Sequence, residues 1–256
     1  MNSASKVQNP ERMYQNDAVF LYDTCPAPNY QNIVNFIRMS CSKIGSSFDV
    51  GCGTGSLVKI LRSEGWDSHG CDISEPMVKA AREKNPSSRI EIQSATDFEA
   101  SSKVNLITCT FDVLNHLENK TKVRTFFKRS FSKLQQGGIL IFDSLAPDDI
   151  NNNWNGYVEV DSWEDLFLIR RGKKISFGKG ILTYDFFKKI EKNHWSKSTE
   201  VHTLIAPSRS WIEHTLLSLG FNKVRALDAT CLKKPNKKTV RYIFSAQKPT
   251  NKLETH

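Results

Sequence analysis

The run Asp49-Val50-Gly51-Cys52-Gly53-Thr54-Gly55 has the clearest chemical meaning of any stretch in this 256-residue chain. Three glycines alternate after a short apolar segment, and a carboxylate, Asp72, follows 21 positions after the first of them. Glycine admits positive φ and lets a ligand approach the backbone closely. Residues 46–50 read as extended and residues 56–61 as helical, so the turn sits at a helix N-terminus. Unpaired N–H groups and the positive end of the helix dipole then face whatever occupies the turn. Asp72 closes the next extended segment, where a carboxylate can accept hydrogen bonds from both hydroxyls of a ribose. The pattern implies a cofactor that carries an anionic group and a ribose. The plainer reading is an ordinary strand-to-helix turn followed by a capping aspartate.

The spacing separates two kinds of cofactor. A dinucleotide fingerprint places its third glycine three positions after the second, G-x-G-x-x-G. Here the third glycine comes two positions after the second, and Ser56 stands where the dinucleotide pattern needs glycine.

The elements that must hold these residues follow from periodicity. Apolar Tyr30, Ile33, Val34, Ile37 and Cys41 recur at helical spacing over 29–42. Strands at 47–51, 67–72, 89–93, 104–110 and 139–142 then alternate with helices at 56–64, 76–84 and 120–134. Ser74 can cap the 76–84 helix, Pro76 suits its first turn, and Gly137-Gly138 is expected to end the 120–134 helix. Alternation of this kind predicts a parallel sheet with right-handed crossovers. Residues 151–206 break the alternation, with strands at 165–169, 181–187 and 199–204. A helix at 208–219 ends at Gly220, and strands near 223–228 and 239–246 close the fold. The expected architecture is α/β: a doubly wound, seven-stranded, mostly parallel sheet with an antiparallel β insertion after the fifth strand. The segments are 1–28 as tail and lid, 29–150 as cofactor-binding core, 151–206 as insertion, 207–248 as return to the sheet, and 249–256 as tail.

Composition sets the outer limits. No apolar run approaches the roughly 18–20 residues that span a bilayer, and Met1 to Glu11 is polar. Six cysteines lack C-x-x-C or zinc-type spacing, which points to reduced thiols, a cytoplasmic setting and no metal. The net charge of +9 is uneven: residues 1–150 carry 17 Lys+Arg against 17 Asp+Glu, and residues 151–256 carry 19 against 10. The extra lysines are scattered, which reads as a solvated face and tail rather than a nucleic-acid or membrane surface.

The segment Asp49 to Gly55, with Gly70-Cys71-Asp72-Ile73-Ser74-Glu75-Pro76-Met77, resembles the first two motifs of class I S-adenosylmethionine-dependent methyltransferases. Phe111-Asp112-Val113-Leu114-Asn115-His116-Leu117 and Leu134 to Asp143 resemble the family's strand-four and strand-five motifs, so the likeness covers roughly residues 45–145. Leu21-Tyr22-Asp23, the insertion, and Glu200-x-His202 before Trp211 are similar, less sharply, to small-molecule N-methyltransferases of amino sugars and glycine-type amines. The resemblance implies S-adenosylmethionine as cofactor. It would place Asp49 near the methionine amino group and Gly51, Cys52, Gly53 and Gly55 along the methionine and ribose. Asp72 would hold the ribose, and Ile73 and Met77 would enclose the adenine. Thr110 and Phe111 would run beneath the methionine and sulfonium. Many members read the adenine amino group with an Asp directly after the third strand. This chain has Ser94 there, followed by Ala95, and leaves the contact to Ser94, Asp97 or a backbone carbonyl.

Methyl transfer is an in-line displacement that needs alignment above all, and an ammonium acceptor must also lose a proton. His116 lies five residues past Phe111, where an acceptor must approach, and is either that base or a structural histidine. Tyr22, on the N-terminal lid, is expected to shape the same acceptor site. Trp154, Tyr157, Trp163, Trp195 and His202 are potential pocket wall, although aromatics on strands are more often packing. The expected partner is a small-molecule acceptor, methylated at an amine or a hydroxyl, with a homo-oligomer left open. An RNA or protein methyltransferase is the main alternative, and the absence of N-P-P-[YF] after strand four and of a Pro-Cys nucleophile weighs against nucleobases. A nicotinamide-dependent oxidoreductase and a non-catalytic cofactor-binding protein complete the alternatives.

Overall fold

The computed structural model describes residues 19, 30–192 and 194–250. Helix α1 (Tyr30–Ser40) buries Ile33, Val34, Phe36 and Ile37, the apolar stripe its period requires. Then β1 (Ser46–Val50), α2 (Ser56–Ser63), β2 (Asp67–Asp72), α3 (Glu75–Lys84), β3 (Ile90–Ile92) and β4 (Val104–Cys109) follow in order. A 3₁₀ turn (Leu114–His116), α4 (Lys120–Lys133) and β5 (Leu134–Leu145) complete the alternating part. Ser74 caps α3, accepting from the Met77 N–H at 3.3 Å, with Pro76 in the first turn as expected.

Seven strands form one sheet in the order β10-β11-β5-β4-β1-β2-β3, with β10 (Asn222–Asp228) and β11 (Arg241–Gln247) supplied by the C-terminal part. The pairs β1–β2, β1–β4, β2–β3 and β4–β5 are parallel. Strand β11 runs antiparallel between β5 and β10. Successive strands build outward from β1 to β3 and then cross to β4 on the other side of β1. The strand order therefore reverses between β1 and β4, and a crevice opens at the carboxyl ends of these strands. The antiparallel sense of β11 brings its first residue, Arg241, beside Leu145 at that same end of the sheet.

One face of the sheet carries a phenylalanine cluster. Phe142 on β5 stacks on its cross-strand partner Phe244 on β11 with ring centroids 4.9 Å apart, and Phe127 of α4 meets Phe142 at 5.0 Å. The opposite face packs α1 and α2, through Ile37, Leu57 and Leu61, onto Leu106, Ile141 and Ile243. The sheet is thus covered on both sides, which explains why its central strands are nearly continuous apolar runs.

Two expectations are corrected. Gly137-Gly138 does not end the 120–134 helix; α4 stops at Lys133 and β5 begins at once, running 12 residues rather than 139–142. The glycines instead carry an irregularity in the β4–β5 register, with Gly137 at φ 76. A side chain on Gly138 would crowd the Gln135 and Val104 carbonyls at 3.0 and 3.1 Å, so glycine eases the pairing on both sides of the irregularity. The insertion, moreover, has four strands rather than three: β6 (Val158–Trp163), β7 (Leu166–Ser176), β8 (Lys179–Glu191) and β9 (His194–Ile205), all antiparallel. Strand β6 escapes a hydrophobicity reading because Val158 and Val160 point to solvent, each 59% exposed, while Asp161 shares the pleat with buried Leu168. A short helix α5 (Pro147–Asn153) leads into this sheet, and α6 (Arg209–Ser218) leads out of it. Leu166, Leu168 and Phe186 of the insertion pack on Met77 of α3, which roofs the crevice beyond β2.

Among the described residues no helix is long and apolar enough to cross a membrane. Cys41, Cys52, Cys71, Cys109 and Cys231 are free thiols, and Cys25 lies outside the described residues.

Candidate active site

The three glycines build the crevice's central turn. Gly51, Gly53 and Gly55 all take positive φ, at 74°, 52° and 77°. The N–H groups of Gly51 and Cys52 both donate to the Cys71 carbonyl, at 2.8 and 2.9 Å, which stitches the turn onto β2. A methyl on Gly51 would lie 2.4 Å from Val113, whereas one on Gly53 would meet nothing within 4 Å. Gly51 is therefore glycine for packing, and Gly53 leaves open space over the turn. Gly55 faces away from the crevice: its carbonyl accepts from Asn85 at 3.1 Å, and a side chain there would strike Asn85 and Ala81.

Asp72 locks this turn to the next one. One carboxylate oxygen accepts from the Gly53 N–H at 2.9 Å and the other from the Ser74 N–H at 2.9 Å. Burial pushes the Asp72 pKa up, and the backbone donors pull against it. Asp49, at the end of β1, is also buried and accepts from the Thr108 hydroxyl at 2.7 Å. Desolvation raises its pKa to about 7, opposed by the Thr108 bond and assisted by the nearby Asp72 charge. A carboxyl whose folded pKa is raised favours the folded state at low pH. Its contribution is full below the ordinary carboxylate pKa and is lost as pH rises towards 7.

Beyond β4 the chain makes a tight and strained turn. Phe111 and Asp112 sit consecutively at φ 61° and 69°, each costing a non-glycine residue on the order of 1–2 kcal/mol. The 3₁₀ turn that follows is pinned by Asn115, which donates to the Ile205 carbonyl at 2.7 Å and accepts from the Leu145 N–H at 3.1 Å. His116 ends this turn. Its ring meets the edge of His202 on β9, with centroids 5.1 Å apart, and His202 bonds Glu200 at 2.9 Å. Burial foremost, and His202 next, lower the His116 pKa to about 4, against the pull of Asp112 and Glu200. His116 is therefore a neutral imidazole at physiological pH, a hydrogen-bond acceptor of low basicity.

These pieces line one open cavity at the carboxyl ends of the strands, concave as small-molecule sites are. Asp49, Gly51, Cys52, Gly53, Asp72, Ile73, Met77, Ser94, Ala95, Thr110, Phe111 and His116 all line it. Gly55 does not line it, and Tyr22 lies outside the described residues. Of the three expectations for the end of β3, Ser94 lines the cavity, while Asp97 is exposed and 3.6 Å from Arg129. Sequence reading missed Tyr30, whose ring meets Phe111 edge-on at 4.8 Å, together with Gln93, Thr96, Val113 and the Glu118–Lys122 ion pair at the rim. Only the i,i+4 spacing of Glu118 and Lys122 was visible beforehand as a signal. The cavity runs along the ends of β4, β1, β2 and β3, with Asp72 near its middle and His116 at one side. Such a trough can bind an elongated ligand by its ribose and present one end of it to a second molecule.

Residues 48–140 match the model of a methyltransferase domain family. A candidate methyltransferase of Geobacillus sp. (strain WCH70) is 26% identical over 234 residues, covering 89% of this chain and 93% of that protein. The dTDP-3-amino-3,6-dideoxy-alpha-D-glucopyranose N,N-dimethyltransferase of Streptomyces fradiae is 23% identical over 150 residues, 56% of this chain and 59% of that protein. Among solved structures, an S-adenosylmethionine-dependent methyltransferase from Clostridium acetobutylicum ATCC 824 superposes with a TM-score of 0.78 at 20% identity. It covers 90% of this chain and 96% of its own, a likeness of fold.

Proposed function

Given that this chain is an S-adenosylmethionine-dependent methyltransferase, we propose that it methylates an amine of a small molecule such as an amino sugar. The observation that carries this reading is the trough along β4–β1–β2–β3, with Asp72 at its middle and neutral His116 at its side. The amino-sugar class is favoured by the Streptomyces fradiae relative, which acts on such a compound.

The residues present suit the cofactor. The open space over Gly53 is where a side chain would intrude, and glycine keeps it clear. Asp72, held by two backbone donors, has oxygen lone pairs left for ribose hydroxyls. Ile73 and Met77 offer an apolar slot for adenine, with Ser94 and Ala95 at its edge. Asp49 and the Thr110–Phe111 backbone lie at the other end, suited to an amino-acid moiety. Bound there, S-adenosylmethionine supplies a methyl group on a sulfonium, which needs no metal or covalent intermediate with the protein.

His116 acts on the acceptor. With a pKa near 4 it does not store a proton from an ammonium at neutral pH. Its role is to accept a hydrogen bond from an uncharged amine, turning the nitrogen lone pair towards the methyl group. Replacing His116 by Ala is expected to lower kcat/KM about 100-fold, the scale of the loss when a reacting group is misplaced by about 1 Å. At saturating S-adenosylmethionine the acid limb of the pH–rate profile should stay unchanged in H116A, because the acceptor's own ammonium sets it. A wild-type limb near pH 6.5 that vanished in H116A would reverse this assignment.

Asp49 gives the cofactor step its pH dependence. The carboxyl titrates near 7 in the free protein and must be ionised to receive the methionine ammonium. S-adenosylmethionine affinity should therefore rise about tenfold from pH 6 to pH 8, the ratio of ionised fractions for a group titrating near 7. D49N should abolish the slope, and calorimetric titration reads both. Flat wild-type affinity over this range would remove Asp49 from the ammonium site.

The proposal as a whole is tested with labelled S-adenosylmethionine and paired acceptors, each amino sugar beside its hydroxyl counterpart. Label in the amino compounds alone supports it. Label in the hydroxyl compounds, or in RNA or protein of a cell extract, overturns it.

A further inference from the structure

The wall of the cavity that turns away from Asp72 is not self-supporting. Phe111 and Asp112 are both in the left-handed region, which a bulky phenylalanine tolerates poorly and an aspartate somewhat better. What holds them comes from strands far along the chain. Asp143 on β5 accepts from the Phe111 N–H at 3.0 Å and the Asp112 N–H at 3.2 Å. Arg241 on β11 donates to Asp143 at 3.0 Å and grips the Asp112 carboxylate through two nitrogens, at 2.7 and 3.0 Å. Asp143 is buried, whereas the Arg241 and Asp112 side chains keep 26% and 30% exposure. Against the pull of burial, Arg241 holds the Asp112 carboxyl below its usual range and the two carboxylates hold the guanidinium above its own, while burial pushes Asp143 up.

We propose that Arg241 is a positioning residue for the methionine end of the cofactor. It fastens the strained Phe111–Asp112 turn, through Asp143 and Asp112, in the shape that forms that wall. The inference rests on the reading that the amino-acid half of S-adenosylmethionine lies along Thr110–Phe111. Three facts support it. The guanidinium is planar and bidentate on Asp112, a geometry lysine cannot reproduce. The two residues under strain are the same two whose N–H groups Asp143 collects. Among the described residues, the hydrogen bonds that hold Asp72, Gly53 and Met77 on the ribose and adenine side run to one another and to Ser74, not to this network. The two halves of the cofactor site are therefore held by separate devices.

That separation gives the test. Two ligands are titrated calorimetrically into the wild-type protein and into R241K. They are S-adenosylhomocysteine, and 5′-deoxy-5′-methylthioadenosine, which keeps the adenosine and sulfur but lacks the amino-acid tail. Arg241→Lys is expected to weaken S-adenosylhomocysteine binding tenfold or more while changing the truncated ligand less than threefold. Equal losses for both ligands would make Arg241 a general structural residue, and no loss for either would leave it without a role here; both overturn the proposal. If R241K does not fold, D143N is read by the same two ligands with the same expectation. Failure of the wild-type protein to bind S-adenosylhomocysteine more tightly than the truncated ligand would instead overturn the placement of the methionine half.

Discussion

Asp72→Ala is expected to weaken S-adenosylmethionine binding by at least about 100-fold while leaving the protein folded. The binding loss follows from two ribose hydroxyls that each lose a charged acceptor. Hydrogen bonds to charged groups contribute roughly 1.5–3 kcal/mol apiece, and about 1.4 kcal/mol is a tenfold change in affinity. The stability change is smaller because two effects oppose each other. The Gly53 and Ser74 N–H groups lose their partner, at about 1–3 kcal/mol each if nothing replaces it. Against that, the protein no longer buries a carboxylate whose pKa desolvation has raised. Calorimetric binding beside urea unfolding separates the two. A variant that bound the cofactor within threefold of wild type would show that the ribose lies elsewhere.

Gly53→Ala and Gly51→Ala should fail in different ways, although the two glycines are two positions apart. At Gly53 the added methyl enters open space over the turn, so the folded protein loses only the left-handed backbone penalty of about 1–2 kcal/mol. Cofactor affinity should fall about 5- to 150-fold, since a group wedged into a fitted site costs roughly 1–3 kcal/mol. At Gly51 the methyl meets Val113 at 2.4 Å within the protein itself. Strain and overpacking then add, and stability should drop by about 2–5 kcal/mol. Chemical denaturation and cofactor titration of both variants check the contrast. Equal stability losses would mean that the space over Gly53 is filled by the protein.

The sheet core and the crevice at its strand ends were legible because their signals are local. The glycine turn, Asp72 and the Ser74–Pro76 cap each declare themselves within a few residues, and alternating elements give parallel order. What escaped is non-local. Arg241 reaches Asp112 across 129 positions and Asp143 across 98, and no spacing rule links them. The sequence offers His202 as pocket wall or packing without linking it to His116, and β9 brings the two rings together. The depressed pKa of His116 also has no signature in sequence, since it arises from burial and from that second histidine. Gly55 was grouped with its neighbours by pattern, but the helix it opens turns it towards Asn85. Strand β6 was hidden because its valines face outward and gave no core side to recognise.

The central claim is that the cofactor lies along the strand ends with its methyl-bearing sulfur turned to His116. A crystal structure with S-adenosylhomocysteine tests it most directly. The account predicts ribose hydroxyls on Asp72, adenine between Ile73 and Met77, the amino-acid tail at Asp49 and Phe111, and the sulfur facing His116. A ligand lying the other way round, with adenine at the Asp49–Phe111 end, would contradict it, as would one bound outside the trough.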